Sequence, residues 1–78
     1  MKLDEYLKLI IDKDAEILLE IDDGDASNPN FLYSTFWLSD YKNGSSTCKF
    51  YSDWTVLGIS FQSTKRGYFL QGVVRIKK

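Results

Sequence analysis

Residues 15–22 read Ala-Glu-Ile-Leu-Leu-Glu-Ile-Asp, and the predicted fold depends on whether these residues form a strand or a helix. Aliphatic residues occupy every second position, as in a half-buried strand: Ile17, Leu19 and Ile21. Leu18 breaks this alternation. No glycine or proline precedes the stretch closely, so one long helix ending near residue 22 is the alternative. We favour the strand, because a helical stripe continued from Ile10 would place Asp14 on its apolar side.

The residues before this stretch predict a helix over residues 3–12. Apolar side chains recur there at helical spacing: Leu3, Tyr6, Leu7, Ile10 and Ile11. Asp4 and Glu5 lie in the first turn, where carboxylates interact favourably with the positive end of the helix dipole. Such a helix covers one face of a sheet.

Two hairpins are expected after the turn-forming residues 22–30. In the first, residues 31–40 form a strand and residues 46–51 run back along it. The turn between them is Asn43-Gly44, because Asn-Gly suits the positive φ angles of a type I′ turn. The second hairpin pairs two alternating segments, residues 54–62 and 68–77.

The alternation in the last two strands divides their side chains between the faces of the sheet. We expect the helix to cover one apolar set: Leu57, Ile59, Phe61, Leu70, Val74 and Ile76. The opposite face should hold a second set: Trp54, Val56, Phe69, Val73 and Arg75, joined by Tyr33 and Trp37. Small β domains commonly curl to hide such residues, so we favour a barrel over an exposed binding surface.

These elements predict a single α+β domain over residues 1–78. Its N-terminal helix packs on a four- or five-stranded, mainly antiparallel sheet that curls into a small barrel. The chain has one cysteine, Cys48, so no intrachain disulfide can form. With acids rather than basic and apolar runs at the start, these features predict a cytoplasmic protein with no membrane association.

Histidine is absent from the 78 residues. The usual general base and the usual metal-binding nitrogen are therefore missing, and we expect no catalytic residue, no metal site and no cofactor. Cys48 has no histidine to activate it, so we interpret it as a half-buried structural residue.

Charge and aromatic residues are distributed unevenly. Residues 1–25 contain nine acids and three lysines, whereas residues 26–78 contain two acids and seven bases. Eleven of the twelve aromatic residues lie between residues 31 and 69.

This uneven distribution predicts two binding surfaces. The first, the acidic rim, consists of Glu16, Glu20, Asp22, Asp23 and Asp25. The second, the aromatic-basic face, consists of Trp37, Tyr41, Trp54, Arg66, Tyr68 and Arg75.

The pattern predicts a small non-catalytic binding protein, an inhibitor that blocks a functional surface of a larger protein or nucleoprotein complex. Tyrosine, tryptophan and arginine are the usual anchors of protein interfaces, and an acidic surface suits a basic groove that holds nucleic acid. In size and lack of motifs, the chain resembles inhibitors encoded by phages and mobile elements, including anti-CRISPR and anti-restriction proteins. The likeness is one of type, since no residue matches a motif of those families.

The alternative is a module that binds single-stranded nucleic acid. Aromatic rings would stack on bases and basic groups would contact phosphates: Arg66, Tyr68, Phe69, Arg75 and Lys77. The net charge of −1 disfavours this alternative, because proteins dedicated to nucleic acids are usually basic. The sequence leaves the oligomeric state open.

Overall fold

The computed structural model of the protein describes residues 1–12, 14–25, 27–63 and 70–78. In chain order, its elements are α1 (Leu3–Leu7), β1 (Glu16–Asp22), β2 (Phe31–Trp37), α2 (Leu38–Asn43), a 3₁₀ helix (Thr47–Tyr51), β3 (Thr55–Ser63) and β4 (Leu70–Lys77). The four strands form one mixed sheet in the order β2-β1-β4-β3. The α+β class is therefore confirmed. The barrel is wrong, because β2 and β3 lie at opposite edges of an open sheet.

β1 is the structural centre, and its prediction as a strand is confirmed. It pairs antiparallel with β2 and parallel with β4. Its alternate residues Ile17, Leu19 and Ile21 are only 3%, 0% and 2% exposed, since they face the helices. β3 and β4 pair antiparallel, which confirms the second hairpin. The connection between them, residues 64–69, lies outside the described residues.

The N-terminal helix is shorter than the expected residues 3–12. α1 ends at Leu7, and Ile11 is 91% exposed instead of joining the apolar stripe. After α1, Ile10 donates a backbone hydrogen bond to the carbonyl oxygen of Leu7 at 3.3 Å, which is the tighter geometry of a helix end. The Asp12 carboxylate then accepts a hydrogen bond from the Asp14 backbone N–H at 2.9 Å. This local turn competes with a continuing helix.

The first predicted hairpin is wrong. β2 ends at Trp37, α2 follows, and the expected return strand is the 3₁₀ helix. Gly44, with a φ of 85°, forms the left-handed C-cap of α2. A type I′ turn would need positive φ at Asn43 as well, and Gly44 is the only described residue that has it. The glycine requirement is shared by hairpin turns and helix C-caps, so the Asn-Gly pair did not distinguish them.

The two α-helices and the 3₁₀ helix lie on one side of the sheet and bury the core there. The buried cluster comprises Leu3, Leu7, Ile17, Leu19, Ile21, Phe36, Leu38, Tyr41, Cys48, Trp54, Val74 and Ile76. Two aromatic contacts join the helical segments to it: the Phe36 and Tyr41 rings have centroids 5.5 Å apart, and those of Tyr51 and Trp54 are 4.8 Å apart. We call this side of the sheet the helix-side face.

A β-bulge between Val56 and Gly58 alters the expected division of side chains. The extra residue shifts the alternation, so Val56 pairs with Ile76 and packs against the core, and Leu57 lines the opposite face. Ile59 pairs with Val74 and lies on the expected face, but it is 45% exposed because the helices do not cover this edge. Phe69 and the Leu70 side chain lie outside the described residues.

Gly24 supplies a stability test in the loop after β1. A Cβ atom there would overlap the backbone oxygen of Asn28 and the backbone nitrogen of Asn30. We expect Gly24→Ala to lower the free energy of unfolding by about 1–3 kcal/mol, because backbone atoms must move. A Cβ at Gly58 meets nothing within 4 Å, so Gly58→Ala is the control. Urea unfolding followed by tryptophan fluorescence measures both, and equal stability of the variants would contradict the prediction.

Candidate functional site

The face of the sheet opposite the helix-side face is not covered by any described helix, and we call it the open face. All four strands contribute to it: Glu16, Glu20 and Asp22 from β1; Phe31, Tyr33 and Trp37 from β2; Val73, Arg75 and Lys77 from β4; and Leu57 and Ser60 from β3. Every second side chain along a strand points to the same face, so this set follows from the strand register.

Aromatic side chains of β2 and carboxylates of β1 lie opposite one another on this face. The register pairs Phe31 with Asp22, Tyr33 with Glu20, and Trp37 with Glu16. The three aromatic residues are 39%, 64% and 48% exposed. Each large ring therefore lies beside an acid at the distance of a cross-strand pair, about 5 Å between Cβ atoms. A partner that reaches one group also reaches the other.

The carboxylates of β1 are held in place by hydrogen bonds. Glu16 accepts one from the Gln71 side chain, whose own oxygen accepts one from Gln62 at 2.9 Å. Asp22 accepts one from the Gly24 backbone N–H at 3.1 Å. Side chains fixed in this way lose little rotamer freedom when a partner binds.

Arg75 connects three strands across the open face. Its Nε and Nη2 atoms both lie 2.9 Å from Oε2 of Glu20. The same guanidinium lies 5.2 Å from the centre of the Phe31 ring, a cation–π geometry. Arg75 thus reaches across β1 from β4 to β2, and it orients both an acid and a ring of the candidate site.

A shallow depression lies next to Arg75, between β4 and β3. Its volume is about 410 Å³, and it is lined by Glu20, Leu57, Gly58, Ile59, Ser60, Val73 and Arg75. Val73 is 6% exposed, whereas Leu57 is 54% exposed. The depression combines aliphatic side chains with one ion pair, which suits a partner side chain that is apolar along its length and polar at its tip.

The acidic rim is divided by the structure. Glu16, Glu20 and Asp22 lie on the open face, while Asp23 and Asp25 lie in the loop after β1. The Asp25 carboxylate accepts hydrogen bonds from the Ser27 hydroxyl at 2.9 Å and from the Asn28 backbone at 2.7 Å. The Ser27 hydrogen bond, followed by that from Asn28, lowers the pKa of Asp25. Asp25 therefore stabilises the loop conformation.

The aromatic-basic face is only partly assembled. Trp37 and Arg75 lie together on the open face, with the acids of β1 between their strands. The expectation that Tyr41 and Trp54 lie on an exposed sheet face is wrong, since they are 2% and 7% exposed within the helix-side core. Tyr41 belongs to α2, and Trp54 precedes the bulge. Arg66 and Tyr68 lie outside the described residues.

Phe31, Tyr33 and Leu57 were not among the predicted site residues. A period of two counted back from Trp37 points to Tyr33 and Phe31, so the sequence did contain a signal for them. No comparable signal identifies Leu57, because the bulge that turns it to the open face is not evident in the sequence.

Over the described ranges, no three side chains of histidine, cysteine, aspartate or glutamate are grouped to hold a metal ion. Within those ranges, no helix is both long and apolar enough to cross a membrane. Comparison of the chain with protein-family models, curated proteins and solved structures finds no match.

Tyr41 gives a pH-dependent test of its structural role. Burial raises the pKa of Tyr41, and so does its 3.1 Å hydrogen bond to Asp4. Because the folded pKa lies above the ordinary value of about 10, this contribution to stability is full below pH 10 and is lost as pH rises towards the folded pKa. Above pH 10, we expect the unfolding free energy to fall more steeply than in Tyr41→Phe, by up to about 1.4 kcal/mol per pH unit. Urea unfolding from pH 8 upward measures this difference, and parallel profiles would disprove it.

Proposed function

We propose that the protein is a small non-catalytic binding protein whose open face docks on a larger protein or nucleoprotein complex and blocks the surface it covers. The observation that carries the proposal is the cross-strand row of exposed aromatic residues and carboxylates: Phe31 with Asp22, Tyr33 with Glu20, and Trp37 with Glu16. Exposed tyrosine and tryptophan side chains supply large contact areas, and they are the residues most enriched among energetic anchors of interfaces.

The chemistry of this row favours a basic partner surface. A lysine or arginine side chain placed over a ring of β2 would receive a cation–π contact, and the adjacent carboxylate of β1 would pair with its charge. Among the described strand residues of the open face, three carboxylates and two cations, Arg75 and Lys77, give a net charge of −1. The adjoining loop adds Asp23 and Asp25. Opposite charge steers association and excludes wrong partners.

A basic groove that normally holds nucleic acid has the charge and the arginine content that this face would recognise. Binding in such a groove would keep nucleic acid out and so inhibit the protein that contains the groove. This inhibition requires no catalytic group. This is the mode of action expected of the phage and mobile-element inhibitors that the chain resembles in type. The target of such an inhibitor is a nucleic-acid-binding surface of another protein.

Nucleic acid is the less favoured ligand of the same face. The rings of β2 could stack on bases, since stacking does not depend on base identity. Bases stacked there would carry their phosphates close to Glu16, Glu20 and Asp22, and like charges repel. A platform for single strands has basic side chains in these positions instead.

Substitution of the aromatic row tests the proposal. We expect Tyr33→Ser combined with Trp37→Ser to weaken binding to the target at least ten-fold, because two exposed anchors are removed. The control is Phe50→Ser, since Phe50 is an aromatic residue of the 3₁₀ helix and is 72% exposed. Proteins captured from host lysate by each variant are identified by mass spectrometry, and the affinity of the purified target is then measured by calorimetry. A target retained equally by the double variant and the control would refute the role of the open face.

Salt dependence separates the two ligand classes. Fluorescence anisotropy with a short labelled single-stranded oligonucleotide should show no binding at micromolar protein. Micromolar binding that weakens steeply as salt rises, and that Tyr33→Ser abolishes, would replace the inhibitor proposal with the nucleic-acid alternative.

A further inference from the structure

We infer that two copies of this protein pair through the exposed edge of β3 and form a continuous antiparallel sheet. β3 lies at one edge of the sheet, so its outer backbone groups face away from β4. Its nine residues, Thr55–Ser63, include no charged residue and no proline. Edge strands of monomeric proteins are commonly protected from pairing by lysine, proline or a β-bulge. The bulge of β3 lies between Val56 and Gly58, so it does not interrupt the residues that follow it.

The protein already adds an antiparallel segment to this edge. Leu3 donates a backbone hydrogen bond to the Trp54 carbonyl oxygen at 2.9 Å, and Val56 donates one to the Met1 carbonyl oxygen at 2.8 Å. Lys2 and Thr55 form the antiparallel bridge between these bonds. The outer edge of β3 is therefore accessible and correctly oriented for an antiparallel strand. In the described parts of the chain, this pairing ends at Val56.

The remaining edge, residues 57–63, carries apolar side chains that the helices leave uncovered. Ile59 and Phe61 lie on the helix-side face, where their cross-strand partners are Val74 and Gly72. They are 45% and 65% exposed, although the neighbouring Val74 is fully buried. A strand added to this edge would shield both side chains. The same partner would therefore hydrogen-bond to the outer backbone groups of β3 and bury its exposed apolar side chains.

A second copy is the occupant that fits because the strand is complementary to itself. Antiparallel strands of one sheet are related by a two-fold axis perpendicular to the sheet, which keeps each face on its own side. After the bulge, odd-numbered residues of one copy then lie opposite odd-numbered residues of the other, and even-numbered residues opposite even-numbered ones. The residue on the axis therefore lies opposite the same residue of the second copy. Residues 55 and 56 are already paired, and the bulge leaves Leu57 out of the regular alternation. We place the centre at Ser60, because this register pairs residues 58–62 and sets Ile59 opposite Phe61.

This register places apolar side chains opposite each other. Ile59 of one copy lies opposite Phe61 of the other, and the symmetry repeats the contact, so four apolar side chains form one cluster on the helix-side face. Pairing of the two strands brings no like charges together, because β3 contains no charged residue. Five paired residues bury less area than a standard interface of about 1,600 Å², so we expect a dissociation constant in the micromolar range.

Concentration-dependent sedimentation tests the dimer. The tag must be at the C-terminus, since residues added before Met1 would extend along β3 in the place of the partner strand. We expect monomer and dimer to exchange between 1 and 500 µM, and Phe61→Lys to weaken dimerisation at least ten-fold by placing cations across the axis. The control is Leu32→Lys on β2, because Leu32 is also on the helix-side face and is 44% exposed. A wild type that stays monomeric at 500 µM, or a Leu32→Lys variant as weak as Phe61→Lys, would overturn the inference.

Cysteine cross-linking tests the register. Ser60→Cys places two thiols on directly opposite residues, whose Cα atoms are about 4.5–5.5 Å apart in antiparallel pairs and within disulfide reach. In Gln62→Cys the two positions are offset by four residues, or about 13 Å, which is beyond that reach. Under mild oxidation we expect a covalent dimer from Ser60→Cys alone. The native Cys48 is present in both variants and is buried, so it does not account for a difference between them. Equal cross-linking of the two variants, or none in Ser60→Cys, would overturn the register.

Discussion

The pairing of β1 on both of its edges holds the sheet together and sets which side chains share each face. β1 joins the antiparallel β2 to the parallel β4, so it connects the first half of the chain to the last strand within one sheet. Its residues Ile17, Leu19 and Ile21 anchor the core beneath the helices. Because the side chains of a strand alternate, the burial of these three fixes Glu16, Glu20 and Asp22 on the opposite face.

The parallel pairing also explains what becomes of the charge asymmetry in the sequence. The acidic first part and the basic last part of the chain lie side by side, since Glu20 is opposite Arg75 and Asp22 is opposite Lys77. The ion pair between Glu20 and Arg75 at 2.9 Å follows from this register. The members of the two predicted surfaces that lie on the open face are thus neighbours, with the acids of β1 in the middle, Trp37 on the β2 side and Arg75 on the β4 side. A single partner can contact all three groups at once.

The described helices cover one face of the sheet, and they leave two other surfaces uncovered: the open face and the outer edge of β3. The open face carries aromatic residues and ordered charges, which suits recognition of another macromolecule. The β3 edge carries neither charge nor proline and exposes Ile59 and Phe61, which suits pairing with an identical strand. Pairing through β3 would leave the β2 side of the open face free, so the two proposed contacts are compatible and independently testable.

β1, the second hairpin and the α+β class were predictable from the sequence, because alternation of apolar residues along a segment indicates a half-buried strand. The sequence also placed Trp37, Arg75 and the acids of β1 among the candidate binding residues. It did not determine the length of α1, the helical residues 38–43 or the bulge at Val56, since these depend on local hydrogen bonds and packing that several backbone conformations allow. The burial of Trp54 and Tyr41 and the open, unclosed sheet depend on long-range packing. The physical reason is that the parallel contact between β1 and β4 joins residues more than fifty positions apart, and no periodicity within a segment encodes such a contact.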